Sequence, residues 1–184
     1  MDKAKAKTIW QALGIPVLPW IEVRKSDIEG ESLSLLTAKV QEEFSWPAFV
    51  KPVSAGSSVG AAKIPGPTDL ESMLTQALEW DDRALIEPYC NAHEIECAVL
   101  GNTAEEPIAF DPGEVIPSHE FYDYQAKYVD PNGAQFHIPA PIAREDSDRI
   151  KTMAVQAFEG LEMCGMARVD FFMEKTSGKI FLNE

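Results

Sequence analysis

Residues 49–60 read FVKPVSAGSSVG, an apolar stretch that carries Lys51 and continues into two serines between Gly56 and Gly60. One interpretation is a β-hairpin turn in which both glycines adopt positive φ. The other is a phosphate-binding loop, with backbone N–H groups and serine hydroxyls on the phosphate oxygens and Lys51 reaching them from the strand. Lysine inside an apolar strand is costly without an anionic partner, so Lys51 is the residue that discriminates between the two interpretations. The chain has no G-x-x-x-x-G-K-[ST] motif, so the loop differs from a P-loop.

Composition is that of a globular protein. The chain has 184 residues, of which 45% are hydrophobic, and no apolar run is long enough to span a membrane. The N-terminal residues lack the apolar segment of a signal peptide. The three cysteines form no C-x-x-C pair and are odd in number, which predicts free thiols in a reducing compartment. We therefore expect a cytoplasmic protein with no membrane partner.

Charge restricts the partners further. The chain has 30 acidic and 16 basic residues, and its formal net charge is −14. Nucleic-acid binding requires a basic surface, so we expect no nucleic-acid partner. A small anionic nucleotide remains compatible with this charge if a few cations are placed locally or if a metal ion bridges the two.

The hydrophobic periodicity predicts a mixed α+β chain with short antiparallel strands. Helices are predicted over residues 2–13, 31–43 and 146–163, with Gly14 closing the first. Another helix is predicted to begin at Thr68, which has capping-box spacing to Glu71. The predicted strands are 46–52, 59–64, 84–87, 95–100, 107–110, 113–116, 167–174 and 179–184. Residues 118–141 show no period and are predicted to form a long functional loop.

The C-terminal residues 167–184 predict a two-stranded hairpin. A turn centred near Ser177 places Asp170 opposite Glu184 on one face. Like charges across a sheet destabilise it by about 0.2–1 kcal/mol, and a divalent cation between them removes that repulsion. Arg168 lies on the same face and could contact an anion beside the metal. The alternative is a solvated face of alternating charges.

Six segments, in order, resemble the D-alanine–D-alanine ligase family of ATP-grasp enzymes. They are MDKAKAKTIW, FVKPVSAGSSVG, ALIEPY, HEIECAVLGN, FYDYQAKY and GMARVDFFM with IFLNE. The resemblance implies an α+β ATP-grasp fold with antiparallel sheets and flanking helices, truncated at both ends. It assigns residues 1–87 to the central (lid) domain. Residues 88–184 are assigned to part of the C-terminal domain, including the active-site loop 118–141.

The same resemblance assigns roles to individual residues. The residues implied to bind ATP are Lys3, Lys51, Ser58, Glu87, Cys90, Glu94, Phe121 and Lys127. Among them the three lysines would contact phosphate oxygens. Glu87 and the backbone of Cys90 would contact adenine, and Glu94 would contact the ribose. The residues implied in catalysis are Arg168, Ser57 and Tyr128. Asp170 and Glu184 would bind Mg²⁺ or Mn²⁺.

The implied reaction joins two D-alanines for peptidoglycan synthesis. ATP phosphorylates the first D-alanine to an acyl-phosphate, and the amine of the second displaces phosphate. The expected partners are ATP and D-alanine, and the full-length family member is expected to be a homodimer. We expect this chain to be a fragment that binds nucleotide weakly and makes no dipeptide.

Four alternatives remain open from the residues. A D-alanine–D-lactate ligase is disfavoured because FYDYQAKY resembles the D-alanine-specific class. Another ATP-grasp carboxylate–amine ligase would require the six matches to be accidental. A non-catalytic ATP-binding module would need few of the charged residues that this chain retains. A structural interaction domain would be favoured by a failure to bind Mg²⁺-ATP.

Overall fold

A computed structural model describes residues 1–102, 105–118 and 133–184. The helices are α1 (Lys3–Ala12), α2 (Glu31–Glu43), α3 (Leu70–Ala77) and α4 (Arg144–Gly160). The first five strands are β1 (Ile21–Arg24), β2 (Ala48–Pro52), β3 (Ala62–Ile64), β4 (Arg83–Pro88) and β5 (Ala92–Asn102). The remaining strands are β6 (Glu105–Ala109), β7 (Gly113–Pro117), β8 (Ala134–His137), β9 (Gly165–Glu174) and β10 (Ile180–Leu182).

Most predicted elements are confirmed, and α2 has the predicted bounds. The predicted capping box at Thr68 is wrong. A 3-10 turn, Pro67–Asp69, precedes α3, and the Thr68 hydroxyl bonds to the Asp69 carboxylate. The last helix ends at Gly160 instead of residue 163, because the chain reverses there with Glu162 at a φ of 51°.

The segment predicted as a long loop, residues 118–141, contains a strand. β8 pairs antiparallel with β7, with Glu114 opposite His137. The strand is four residues long, which is too short for its periodicity to stand out in the sequence.

The chain forms two compact units, each described here by itself. The first contains residues 1–4 and 18–89 among those described. Its sheet has the strand order β1-β4-β2-β3, and all pairs are antiparallel. The apolar faces of α2 and α3 cover this sheet, with buried Leu36, Val40, Leu70 and Leu74 in one core.

The second unit contains residues 5–17, 90–118 and 133–184 among those described. Its sheet has the order β10-β9-β5-β7-β8, and β6 pairs with the end of β5. One face of β5 and β9 packs on α4 and α1, where Phe158, Ile150 and Trp10 are buried. The other face carries the charged residues described below.

The predicted α+β class with antiparallel sheets and flanking helices is confirmed. Within the described residues, none of the helices combines the length and the apolar character that a membrane crossing would need. The polar residues of interest lie on β2 and β4 in the first unit and on β5 and β9 in the second, and each sheet is described separately below.

Candidate functional site

The Gly/Ser loop, residues 54–60, connects β2 to β3. Ser57, Ser58 and Gly60 have φ values of 55°, 58° and 70°. Two serines in the left-handed region are unusual, and such backbone conformations cluster at ligand-binding loops. Gly56 is not among the residues with positive φ, so the sequence-based assignment of positive φ to both glycines is wrong for Gly56.

Lys51 lies on β2 and its charge is paired. Its Nζ lies 2.8 Å from Oε2 of Glu87 on β4, and both side chains are buried. The pairing is diagonal, because the register places Phe49 opposite Glu87 and Lys51 opposite Leu85. The structure therefore brings together two residues that the resemblance assigned to phosphate and adenine. The burial cost of the lysine is offset by a carboxylate of the protein itself.

Lys3 lies at the start of α1 and is held against the first part of the Gly/Ser loop. Its ammonium donates to the carbonyls of Pro52 and Val53, each at 3.4 Å, and more closely to that of Ala55. Its backbone N–H donates to Val53 as well, at 3.1 Å. Lys3 thus supports the loop that the resemblance places over phosphate.

In the second unit, β5 and β9 place Arg168, Asp170 and Glu96 on one face. Nε and Nη2 of Arg168 donate to the two Asp170 oxygens at 2.7 and 2.8 Å. Nη2 also lies 3.3 Å from Oε1 of Glu96, which the register places opposite Asp170. The hydrogen bonds to Asp170, with the charges of Asp170, Glu96 and Glu184, raise the pKa of Arg168 above its ordinary value. The arginine is therefore a permanent cation among three carboxylates.

Glu184 reaches this face through a β-bulge. The ladder of β9 and β10 places Leu182 opposite Phe171, and continuing that register would place Asn183 opposite Asp170. The N–H groups of Asn183 and Glu184 both donate to the Asp170 carbonyl, at 2.8 and 3.3 Å. The Asp170 N–H donates to the Glu184 carbonyl at 2.6 Å. Asn183 and Glu184 thus both lie opposite Asp170, which is the pattern of a β-bulge. The predicted register is one residue off along β10, and the bulge still brings Glu184 to Asp170.

The donor set on this face suits a hard cation. Carboxylate oxygens are the ligands that Mg²⁺ prefers, and it often binds one or two of them together with substrate phosphates. Among the described residues no group of three His, Cys, Asp or Glu side chains is arranged as a ready metal cage. The two carboxylates at Asp170 and Glu184 therefore fit Mg²⁺ that is shared with a phosphate ligand.

Two further predicted nucleotide contacts lie at the beginning of the second unit. Glu94 is on β5, on the same face as Glu96, opposite Phe172 on β9 and Val115 on β7. Cys90 follows β4, and its thiol has a pKa raised to about 11 by burial and by the charge of Glu174. A thiol in that state stays protonated at neutral pH. The predicted site residues Phe121, Lys127 and Tyr128 lie outside the described residues.

Sequence reasoning missed two sets of charged residues. Glu96, which was given no role from the sequence, contacts Arg168. The buried carboxylate of Glu114 lies 2.6 Å from Nδ1 of His93 and 3.4 Å from Nδ1 of His137. The signal for Glu96 was available, because it alternates with Glu94 on a predicted strand. The His–Glu–His cluster depends on the pairing of β7 with β8, which the sequence did not predict.

Comparisons with known proteins point to one family. A family model described as the D-ala D-ala ligase C-terminus matches residues 9–184. The chain is 42% identical over 185 residues to a D-alanine–D-alanine ligase of Treponema denticola, covering all of this chain and 50% of that protein. It is 44% identical over 184 residues to the corresponding protein of Acetivibrio thermocellus, covering 48% of it.

Solved structures give the same picture. All of this chain superposes on 51% of the VanG D-Ala:D-Ser ligase from Enterococcus faecalis, with a TM-score of 0.84 and 32% identity. All of it also superposes on 46% of the D-alanine–D-alanine ligase from Coxiella burnetii, with a TM-score of 0.77 and 34% identity. The chain spans about half the length of the curated relatives that it matches.

Proposed function

The chain belongs to the D-alanine–D-alanine ligase C-terminal family, and on that premise we propose that it is the nucleotide- and metal-binding part of an ATP-dependent ligase that joins two D-alanines. The proposed product is D-alanyl-D-alanine for peptidoglycan, made in the cytoplasm. We extend the proposal to the domain division, with residues 1–87 as the central lid domain and residues 88–184 as part of the C-terminal domain. A homodimer is proposed for the longer protein.

The observation that carries the proposal is the charged face of the second unit. Arg168 makes a bidentate hydrogen bond to Asp170, and a bulge brings Glu184 beside them. A fixed cation beside two carboxylates can bind a metal–phosphate group and can stabilise negative charge that develops on a reacting carbonyl. A structural sheet face would gain little from concentrating these charges on one spot.

The proposed reaction has two steps. A carboxylate oxygen of the first D-alanine attacks the γ-phosphorus of ATP, the bond from that phosphorus to the bridging oxygen breaks, and ADP leaves. The amine nitrogen of the second D-alanine then attacks the carbonyl carbon, inorganic phosphate leaves, and the amine loses its proton. When bound, Mg²⁺ would neutralise part of the phosphate charge.

The residues of the chain act by positioning and by charge. Arg168 is proposed to stabilise the acyl-phosphate and the tetrahedral intermediate, while Asp170 and Glu184 hold the metal. Lys51 and the Gly/Ser loop would contact phosphate oxygens, and Glu87 would contact the adenine amino group. Most of the barrier reduction in such transfers comes from orientation and electrostatic stabilisation, which this set of fixed charges supplies.

Roles follow for the other predicted residues as part of the same proposal. Lys3 would contact phosphate while it supports the loop, and Ser58 would add a hydroxyl. Cys90 would contact adenine through its backbone, and Glu94 would bind the ribose hydroxyls. The remaining proposed roles, in binding or in positioning substrate, belong to Ser57, Phe121, Lys127 and Tyr128.

Two experiments test the proposal. The first is a calorimetric titration of the chain with Mg²⁺ and a non-hydrolysable ATP analogue. Binding is expected, together with weakening by Lys51→Ala and no weakening by Lys39→Ala, whose ion pair with Glu43 is exposed. A wild-type chain and a Lys51→Ala chain with equal affinities would contradict the assignment of Lys51.

The second experiment tests the reaction in a protein of full relative length. This chain replaces the matching half of the Treponema denticola ligase, and ADP release and dipeptide formation are measured. Activity with D-alanine that Arg168→Ala abolishes supports the proposal. Arms with D-serine and D-lactate as the second substrate separate the three acceptor classes, since VanG is a D-Ala:D-Ser ligase. A chimera that binds nucleotide yet releases no ADP with any of these acids would contradict it.

A further inference from the structure

The Gly/Ser loop is held at its two ends by adjacent residues, Trp80 and Asp81. Both lie in the connection between α3 and β4, within the first unit. Neither carries a role in the proposed chemistry. We propose that Trp80 and Asp81, the Trp80–Asp81 clamp, are positioning residues that hold the Gly/Ser loop in its phosphate-binding conformation. The inference rests on the proposed nucleotide site.

Asp81 fixes the start of the loop. Its Oδ2 accepts a hydrogen bond from the Ser54 N–H at 2.7 Å, and its Oδ1 accepts one from the Arg83 N–H at 3.1 Å. Ser54 is the second residue after β2, and Arg83 is the first residue of β4. One carboxylate therefore joins the loop to the neighbouring strand at the point where the ladder of β2 and β4 ends.

Trp80 fixes the end of the loop. A Cβ atom at Gly60 would lie 2.6 Å from Cδ1 of Trp80 and 2.8 Å from Cγ of Pro52. The indole ring thus lies directly on the Gly60 backbone, which has a φ of 70°. Only glycine allows both this φ and this close approach.

The exposure of Trp80 favours a role in the loop over a role in the core. The residue is 62% exposed, although tryptophan is mostly buried in folded proteins. Within the described residues Trp80 is not part of the apolar core of the first unit, and its indole ring lies against Gly60 of the loop. The backbone N–H of Trp80 donates to the Ala77 carbonyl at 3.2 Å, which fixes the Trp80 backbone at the end of α3.

Holding both ends matters because phosphate binding by backbone N–H groups requires a fixed loop. Ser57 and Ser58 both have positive φ, a conformation that a free loop would leave for most of the time. The apparent affinity of a ligand falls by the fraction of molecules whose loop is in the binding conformation. A clamp that keeps this fraction high therefore raises phosphate affinity without touching the phosphate.

Calorimetric titration of the full 184-residue chain tests the clamp. The ligands are Mg²⁺ with a non-hydrolysable ATP analogue, and adenosine, which has no phosphate. Trp80→Ala and Asp81→Ala are each expected to raise the Kd of the ATP analogue about tenfold and to leave that of adenosine unchanged. Trp80→Phe is expected to restore most of the affinity, because a ring still covers Gly60.

Matched variants control for the loss of bulk and of charge. Asp82→Ala removes a carboxylate one residue further on, whose ion pair with Lys25 is exposed. Leu35→Ala removes an apolar side chain of α2 that is 72% exposed. Both controls are expected to bind the ATP analogue like the wild-type chain.

Hydrogen exchange without ligand gives the second readout. In Trp80→Ala, amides of residues 54–61 are expected to exchange faster, while those of β2 and β4 keep their rates. Equal Kd values for the wild-type and Trp80→Ala chains, or faster exchange throughout the first unit, would overturn the clamp and leave the nucleotide site standing. A wild-type chain that binds neither ligand would overturn the nucleotide site, and the clamp with it.

Discussion

Lys51 Nζ and Glu87 Oε2 lie 2.8 Å apart, in a buried ion pair that joins β2 to β4. Both residues are assigned to the nucleotide by the family resemblance, and they also contact each other. The pair therefore has a structural role besides the proposed binding role. Nucleotide contacts at this position would have to share or replace an existing charge interaction.

The first prediction concerns this pair. Lys51→Ala is expected to lower the free energy of unfolding by about 1.5–3 kcal/mol, because a hydrogen bond between buried charged groups is lost. Urea denaturation measures the change. The matched variant Lys39→Ala loses an exposed ion pair of 3.8 Å with Glu43, which is expected to cost less than about 0.5 kcal/mol. Equal losses in the two variants would contradict the prediction.

The second prediction concerns the two glycines of the Gly/Ser loop. Gly60→Ala is expected to lower the free energy of unfolding by about 1–3 kcal/mol, because the new Cβ would meet Trp80 and Pro52 in a left-handed backbone. Gly56→Ala is the control, since a Cβ there has no neighbour within 4 Å. That variant is expected to be neutral or slightly stabilising. Urea midpoints of the two variants in the reverse order would contradict the prediction.

The third prediction concerns pH and Asp81. Burial alone would raise the pKa of this carboxyl. The backbone hydrogen bonds from Ser54 and Arg83, with the Arg83 charge, outweigh burial and lower it below its ordinary value of 3.8. A folded-state pKa below the unfolded one contributes stability that is present above the unfolded pKa and is lost as pH falls through the folded pKa.

Asp81→Asn should therefore destabilise the chain most between pH 5 and pH 7, and its effect should shrink below about pH 4. Urea unfolding of the wild-type and variant chains at pH 7, 5 and 3 measures the difference. Asp82→Asn, which is exposed, serves as the control for general charge effects. A difference between the wild-type and Asp81→Asn chains that grows toward pH 3 would contradict the assigned hydrogen bonds.

The fourth prediction concerns the cysteines. Burial raises the pKa of Cys97 to about 11, as burial and the Glu174 charge do for Cys90. The thiolate is the reactive form, so both residues should react slowly with iodoacetamide at pH 8. Cys164 is exposed and is expected to be labelled first. Mass spectrometry of labelled peptides measures the order, and Cys164→Ser should remove most of the fast phase.

The fifth prediction concerns the charged face of the second unit. Arg168→Ala leaves Glu96, Asp170 and Glu184 without the cation that they surround. Mg²⁺ is then expected to stabilise the variant more than the wild-type chain, because a ligand that binds the folded state more tightly raises Tm further at the same concentration. Thermal unfolding with and without MgCl₂ measures this. Adding Asp170→Asn to the variant should remove the gain, and a smaller Mg²⁺ effect in Arg168→Ala than in the wild type would argue against a cation site.

The parts of the fold that follow from local pattern could be predicted from the sequence. The α2 helix has a clear apolar period, and its predicted bounds are those observed. The C-terminal hairpin was predicted because its side chains alternate. Its register was one residue off along β10, because a bulge arises from backbone hydrogen bonds and leaves no mark in the alternation.

The candidate site was predictable where it resembles a known family and less so elsewhere. The segments that resemble the family contain Lys51, Arg168, Asp170 and Glu184. The role of Asp81 could not be predicted, because its partner, the backbone N–H of Ser54, lies 27 residues away along the chain. The role of Trp80 could not be predicted from the sequence either, because its ring contacts the backbone of a glycine.

The bulge at Asn183 and Glu184 has a consequence for how this hairpin can change in length. The buried Ile180 and Leu182 fix the register of β10, so one residue added to the turn at 175–179 would lengthen the turn, whereas one residue added between Leu182 and Glu184 would carry Glu184 to the opposite face. The bulge already contains one extra residue, and this extra residue brings Glu184 to Asp170. Length changes in the turn should therefore be tolerated, and a single insertion between Leu182 and Glu184 should move Glu184 away from the face of Asp170.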